Sequence, residues 1–271
     1  MMFTIFEQML IYLPLIIGAY ITISLLKLPD FSIESAYLFG AVMALLFHHL
    51  FFFFLGAIFG GMIVGASVNL LNQWLKLPFL LSAIIVNGVF HGTSQYLMGT
   101  SIKSFHPHLN VPELVLFISV ALLILIVIGF FLRSQLGYSL SIYGNNPRFF
   151  FHQNISGTYV ASVGIMIGHG CAGLSGFLFV LSNDFVDVTM NVGVILLCLT
   201  ALLLGKLIIP TKKPIIFIPL LGALGYFTIQ QTILRLGFDL KYFNTFQSLF
   251  ILFAILVGYK KQNRLIDHLG V

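Results

Sequence analysis

Charge is what this sequence has least of. Of its 271 residues only 8% are Asp, Glu, Lys or Arg, 13 basic and 8 acidic, for a net charge of +5. A soluble domain carries about 25% charged residues, so this chain cannot build a water-facing shell, and soluble, disordered and fibrous classes are excluded. Cysteine is scarce as well: Cys171 and Cys198 lie inside apolar runs with no partner at a disulfide or metal spacing, and both read as small buried residues. No G-x-x-x-x-G-K-S/T phosphate loop is present, so the chain cannot hydrolyse ATP by that means itself. Clustered basic and aromatic loops, the footprint of a nucleic-acid binder, are missing too. The first apolar run follows neither a basic n-region nor an A-x-A site, which predicts an uncleaved first helix rather than a signal peptide.

What fills the sequence instead is apolar: 59% of residues, with a mean hydropathy of +1.06. This predicts an all-α, polytopic transmembrane helical bundle. A span needs about 20 apolar residues, and nine candidates are found, at roughly 8–26, 35–48, 50–72, 78–97, 113–132, 158–181, 191–209, 214–234 and 243–259. Short polar punctuation separates them, such as Leu28-Pro29-Asp30, Lys76-Leu77-Pro78 and Pro210 to Pro214. One transmembrane domain over 1–271 is expected, with a first half at about 8–132, a basic segment at about 133–157, a second half at about 158–259 and a tail at 260–271.

Basic residues favour the cytoplasmic side of short loops. With the C-terminus inside, Lys27, Lys76, Arg133, Arg148, Lys206, Lys212, Lys213, Lys260, Lys261 and Arg264 fall on that side and only Lys103, Arg235 and Lys241 outside, ten against three of the 13. That split predicts an odd number of crossings and an external N-terminus.

Asp30-Phe31-Ser32-Ile33-Glu34 and Asp187-Val188-Thr189-Met190-Asn191 share the pattern acid, apolar, hydroxyl, apolar, polar, and each opens a span. In the orientation above they sit at opposite membrane faces, as inverted-topology repeats would. Both also suit simple helix capping. Polar groups at membrane depth line protein or water, which makes Asp30, Ser32, Glu34, Asn87, His91, His169, Asp187, Thr189 and Asn191 the candidates for a solute pathway, with the acids at its mouths. Other polar residues in the spans, Asn69 and Gln231 among them, read first as interhelical hydrogen bonds. Glycines four apart, Gly56/Gly60, Gly61/Gly65 and Gly164/Gly168, read as close helix contacts.

The longest basic segment runs from Leu136 through Gly144-Asn145-Asn146-Pro147-Arg148-Phe149-Phe150-Phe151-His152 to Gly157. Pro147 suits the first position of a short helix capped by Asn146. Its phenylalanines make that helix too apolar to lie free in water. This segment resembles the coupling segment of permease subunits of bacterial ATP-binding-cassette importers of the branched-chain amino acid and ribose type. Leu28 to Ser35 followed by Phe39-Gly40-Ala41, then Lys76 to Leu81, Gly173-Leu174-Ser175-Gly176, and Asp187 to Gly193 resemble further stretches of that family in the same order, over nearly the whole chain. The likeness is nearest to the amino-acid, tryptophan-type or uncharacterised branch. Three phenylalanines and His152 stand where the family usually has small residues.

The resemblance implies a non-enzymatic subunit of a bacterial inner-membrane importer for an amino acid or similar small solute. It implies partner ATPases that bind ATP and Mg, an external substrate-binding protein and a second permease copy. Coupling to the ATPase would then fall to Gly144, Asn145, Asn146, Pro147, Arg148, Phe149, Phe150 and His152. Two other classes stay open at this point. A zinc or manganese permease would use His48-His49, His91, His106, His108 and His169, although their spacing does not converge. An intramembrane enzyme would need a convergent base and nucleophile, and Asp30 with Glu34, one turn apart, is the nearest approach.

Overall fold

The computed structural model describes residues 2–47, 49–106, 112–152, 156–211, 213–237 and 242–268, with the side chains of 2, 151, 152, 255 and 257–268 left aside. His48, His108, Lys212 and Lys241 therefore lie outside the described residues, as do the side chains of His152, Lys260, Lys261 and Arg264. The elements in chain order are α1 (Met2–Ala19), which runs on as a π-helical turn (Tyr20–Leu25), α2 (Ile33–Ala44), α3 (Leu50–Trp74), α4 (Phe79–Met98), β1 (Ile102–Ser104), α5 (Glu113–Arg133), α6 (Gln135–Asn145), a 3-10 turn (Pro147–His152), α7 (Gly157–Asn183), β2 (Phe185–Asp187), α8 (Val194–Ile208), α9 (Phe217–Arg235) and α10 (Phe243–His268).

Among the described residues, five stretches are long and apolar enough to cross a membrane: Phe3–Leu25, Leu50–Trp74, Glu113–Arg133, Gly157–Asn183 and Phe217–Arg235. Ile33–Ala44, Val194–Ile208 and Phe243–Ala254 are apolar but shorter. α4 has the length, but Asn87, His91, Ser94 and Gln95 dilute its apolar content. At about 1.5 Å per residue, α2 and α8 fall short of a hydrocarbon layer about 30 Å thick. These two short helices are the ones that the repeated acid-x-hydroxyl segments precede.

α7 is the centre of the bundle and packs against α1, α2 and α3. The approach is close because glycines remove the side chains between the backbones. A Cβ on Gly18 would lie 2.2 Å from the Gly168 carbonyl oxygen, and one on Gly61 would lie 2.1 Å from that of His169. Both α1 and α3 run antiparallel to α7. Ser175 donates to the Ile11 carbonyl while Leu26 meets Gly164, and Ala57 meets Gly173 while Asn69 donates to Ser162.

The beginning of α7 therefore shares one side of the bundle with Lys27 and α6, and its end shares the other side with the start of α1. On that second side a two-stranded antiparallel ribbon pairs Ile102 with Asp187 and Ser104 with Phe185. The composition reading of an all-α chain did not include it, since three-residue strands are too short to carry a period-2 pattern. His106 Nδ1 lies 3.4 Å from Asp184 beside the ribbon.

Candidate functional site

The π-helical turn closes with Leu26 donating to the Ile21 carbonyl and Leu28 to that of Thr22. Lys27 sits in the left-handed region at φ 56° and reverses the chain. The residues that follow run back into the bundle without regular structure until α2 begins. Asp30 is consequently 1% exposed, Ser32 and His169 0%. The expected place for Asp30 was a mouth at one face. It lies instead beside His169, which is 12 residues into α7 (169 less 157), or about 18 Å along that helix.

Two hydrogen placements fit the geometry of this trio. Ser32 donates its hydroxyl to Asp30 Oδ1 at 2.6 Å, and its backbone N–H reaches the same oxygen at 3.2 Å. In the first placement that hydrogen is spent on Asp30, and Ser32 Oγ accepts from His169 Nε2, 2.8 Å away. His169 Nδ1 faces the Ile165 carbonyl at 2.8 Å, which can only accept. In that placement the ring bears hydrogens on both nitrogens and faces Asp30 Oδ2 at 3.5 Å. Moving each hydrogen one step along gives a neutral ring and a protonated carboxyl. Either way the trio has no net charge, the condition for burying two ionisable groups at this depth. The ring stands where α3 offers only glycine: a Cβ on Gly65 would lie 3.0 Å from its Cγ.

Glu34, in the first turn of α2, accepts the backbone N–H of Ile195 at 3.2 Å. A carboxylate there meets unpaired N–H groups and the positive end of the α8 dipole. In the acid-x-hydroxyl segments it is the acid, not the residue next to the helix, that accepts a backbone N–H. The residues preceding α2 and α8 are Ser32 and Gly193, neither of which makes a side-chain cap bond. Asp187 Oδ1 instead accepts the N–H of Thr189 at 2.8 Å and its hydroxyl at 2.9 Å, the same turn that Asp30 makes with Ser32. The surroundings differ, for Asp187 is half-buried and Thr189 exposed. Asn191 is buried with its Oδ1 unpartnered. Asn87 and His91 lie one turn apart on α4, half-buried, and among the described residues no hydrogen bond joins them to Asp30 or Glu34. The structure therefore groups Asp30, Ser32 and His169, ties Glu34 to α8, and leaves Asn87, His91 and the Asp187 turn apart.

In the basic segment the helix comes earlier than the Asn-Pro turn suggested. Ser134 caps α6 by accepting the Gly137 N–H at 3.3 Å, and Pro147 opens a 3-10 turn, with Phe149 N–H bonded to the Asn146 carbonyl at 3.2 Å. Gly144 lies against the end of the π-helical turn, where a Cβ would come 2.0 Å from the Leu25 carbonyl oxygen. Asn145 Oδ1 accepts from Lys27 Nζ at 2.7 Å. Phe150 is buried, edge-on to Phe149 and against Tyr143. Asn146, Pro147, Arg148 and Phe149 face outward.

With this geometry in view, the comparisons with known proteins are specific. The family described as "Branched-chain amino acid transport system / permease component" matches residues 1–257. The chain belongs to that family. An uncharacterized protein of Rickettsia prowazekii is 28% identical to this permease over 255 residues, covering 87% of this chain and 90% of its own. A protein of Clostridioides difficile named as a tyrosine transport system permease protein is 29% identical over 220 residues, covering 74% and 72%. No solved structure matches the permease.

Two features of the permease escaped the sequence reading. Tyr20, hidden in an apolar run, accepts the Ile215 N–H at 3.1 Å and so ties α1 to the loop before α9. Gln247 on α10 bonds to Tyr226 on α9. A Tyr or Gln at helical spacing in a span is the only signal for either, and it does not say which helix lies opposite.

Proposed function

We propose that this permease carries an amino acid across a bacterial inner membrane by alternating access, driven by ATPases that dock on its basic segment. One observation carries the reading: the outward-facing residues Asn146 to Phe149 are linked to the buried trio within a few residues. Gly144 and Asn145 press on the end of the π-helical turn and hold Lys27. Three residues beyond Lys27 is Asp30, bonded to Ser32 and facing His169. Four beyond that, Glu34 bonds to α8. A push on the 3-10 turn is thereby delivered to the starts of both short helices.

The solute pathway runs, in this reading, past Asp30, Ser32, Glu34 and His169 toward Asp187, Thr189 and Asn191, with Asn87 and His91 on its flank. Two short helices preceded by the same Asp-x-Ser/Thr turn support inverted halves that rock against each other. Their starts are dipole ends suited to a carboxylate. The distribution of basic residues supports a cytoplasmic C-terminus and external N-terminus. A second permease copy and an external binding protein complete the importer, and ATP and Mg are held by the ATPase. The named activity of the Clostridioides relative supports an amino acid as solute.

The test is ATP-dependent uptake. The full chain, reconstituted in vesicles with an ATPase subunit and a binding protein of such importers, should accumulate radiolabelled amino acid only when ATP is supplied on the ATPase side. Uptake of zinc or manganese in place of amino acids, or turnover of a solute by the chain alone, would overturn the reading.

A further inference from the structure

A cavity of about 310 Å³ opens where the end of α1, α6, the end of α8 and the loop before α9 meet. Lys27, Lys206 and Lys213 all line it, and among the described residues no carboxylate does. We infer that this cavity binds a phosphate-bearing anion, which bridges the basic ends of α1 and α8 and the loop that follows α8.

All three lysines are exposed, and they come from three elements onto one void. Like charges so gathered repel, and a bound anion reverses the sign of that interaction. Lys27 Nζ donates to Asn145, which uses one of its three hydrogens. Neither Lys206 nor Lys213 has a side-chain hydrogen bond or ion pair among the described residues.

Hydroxyl groups add donors. Tyr20 is 1% exposed, lines the cavity, and its oxygen is already accepting the Ile215 N–H, which leaves its own hydrogen to donate. Thr211 stands in the same position: its Oγ1 accepts the Lys213 N–H at 3.2 Å. Leu25 and Ile218 supply apolar wall beside these donors. Ammonium groups around a donor-lined, partly apolar void suit a phosphate oxygen cluster, whether on a lipid headgroup or free in solution.

The ligand source is decided by melting the purified full chain in nanodiscs. Discs of phosphatidylcholine are compared with discs containing one-fifth phosphatidylglycerol or cardiolipin, and each is titrated with sodium phosphate, using matched sodium chloride for ionic strength. The wild type is compared with Lys27→Gln/Lys206→Gln/Lys213→Gln and with the triple Lys→Arg variant. We expect the melting temperature to rise by several degrees with one anion source, the rise to vanish in the Gln variant and to persist in the Arg variant. A rise with the anionic lipids assigns a headgroup site; a rise with phosphate in pure phosphatidylcholine assigns a soluble anion. If neither source stabilises the wild type, or if the Gln variant responds equally, the inference is wrong. Should the triple Gln variant fail to fold, Lys206→Gln and Lys213→Gln singly must each lower apparent affinity at least threefold, and unchanged affinity in both overturns it.

Discussion

Glu34 Oε1 accepts the backbone N–H of Ile195, 161 residues further along the chain, at 3.2 Å. The first turn of α2 therefore completes the start of α8. Removing the acceptor leaves buried N–H groups unpaired, at a cost of about 1 to 2 kcal/mol. Glu34→Ala should lower the melting temperature in detergent by a few degrees and reduce uptake. Glu34→Gln keeps an acceptor oxygen and should recover most of the stability. Equal losses in the two variants would show that charge, not the hydrogen bond, joins the helices.

His169→Ala removes one member of a buried neutral trio and leaves Asp30 facing an empty slot between α3 and α7. An uncompensated buried charge costs about 3 to 5 kcal/mol. Asp30→Asn with His169→Gln removes both ionisable groups and should be less destabilised than the His169→Ala single variant. Thermal unfolding of Asp30→Asn, His169→Gln and the double gives the coupling directly, and an additive result would mean that the two residues do not act as a pair.

Gly144→Ala places a methyl group 2.0 Å from the Leu25 carbonyl oxygen, so α6 must move away from α1. ATP hydrolysis by the assembled importer should continue while amino-acid uptake falls about tenfold, a barrier change of about 1.4 kcal/mol. Gly88→Ala and Gly92→Ala are the internal comparison, because a Cβ at either position meets nothing within 4 Å in this chain. Alanine favours the helix by about 1 kcal/mol over glycine, so the melting temperature of the monomeric chain should stay level or rise.

Asn146→Ala and Arg148→Ala touch outward-facing side chains. Their effect on stability should stay within about 0.5 kcal/mol. Association with the ATPase, measured by co-purification, should drop together with uptake. Normal association and uptake in both variants would remove the coupling role from this segment.

Much of this protein was legible because membranes impose simple rules. A charge content of 8% and a succession of apolar runs required membrane-spanning helices, since backbone groups in lipid must pair internally. The family followed from ordered short motifs. The Asp-x-Ser/Thr repeat was legible as a pattern, and the structure shows the turn that the side chains close: Asp30 with Ser32 and Asp187 with Thr189 make the same bonds. Local chemistry of this kind depends on neighbours in the chain and survives translation into sequence.

Depth and partnership did not survive it. The sequence alone determined that the chain is helical, apolar and asymmetric in charge, because hydropathy and basic residues are summed along the chain. Only the tertiary structure decided that Asp30 lies inside rather than at a mouth, because the reversal at Lys27 sends the next residues back along α7. Only it brought His169 to Ser32 and Glu34 to Ile195, across 137 and 161 residues. Charge scarcity, which at first fixed the solvent, becomes in three dimensions a question of placement. Asp30 faces an imidazole, Glu34 meets a helix start, and Lys27, Lys206 and Lys213 line a cavity that has no carboxylate among its described lining residues. Electrostatic interactions depend on distance through space, and no pattern along the chain encodes that distance.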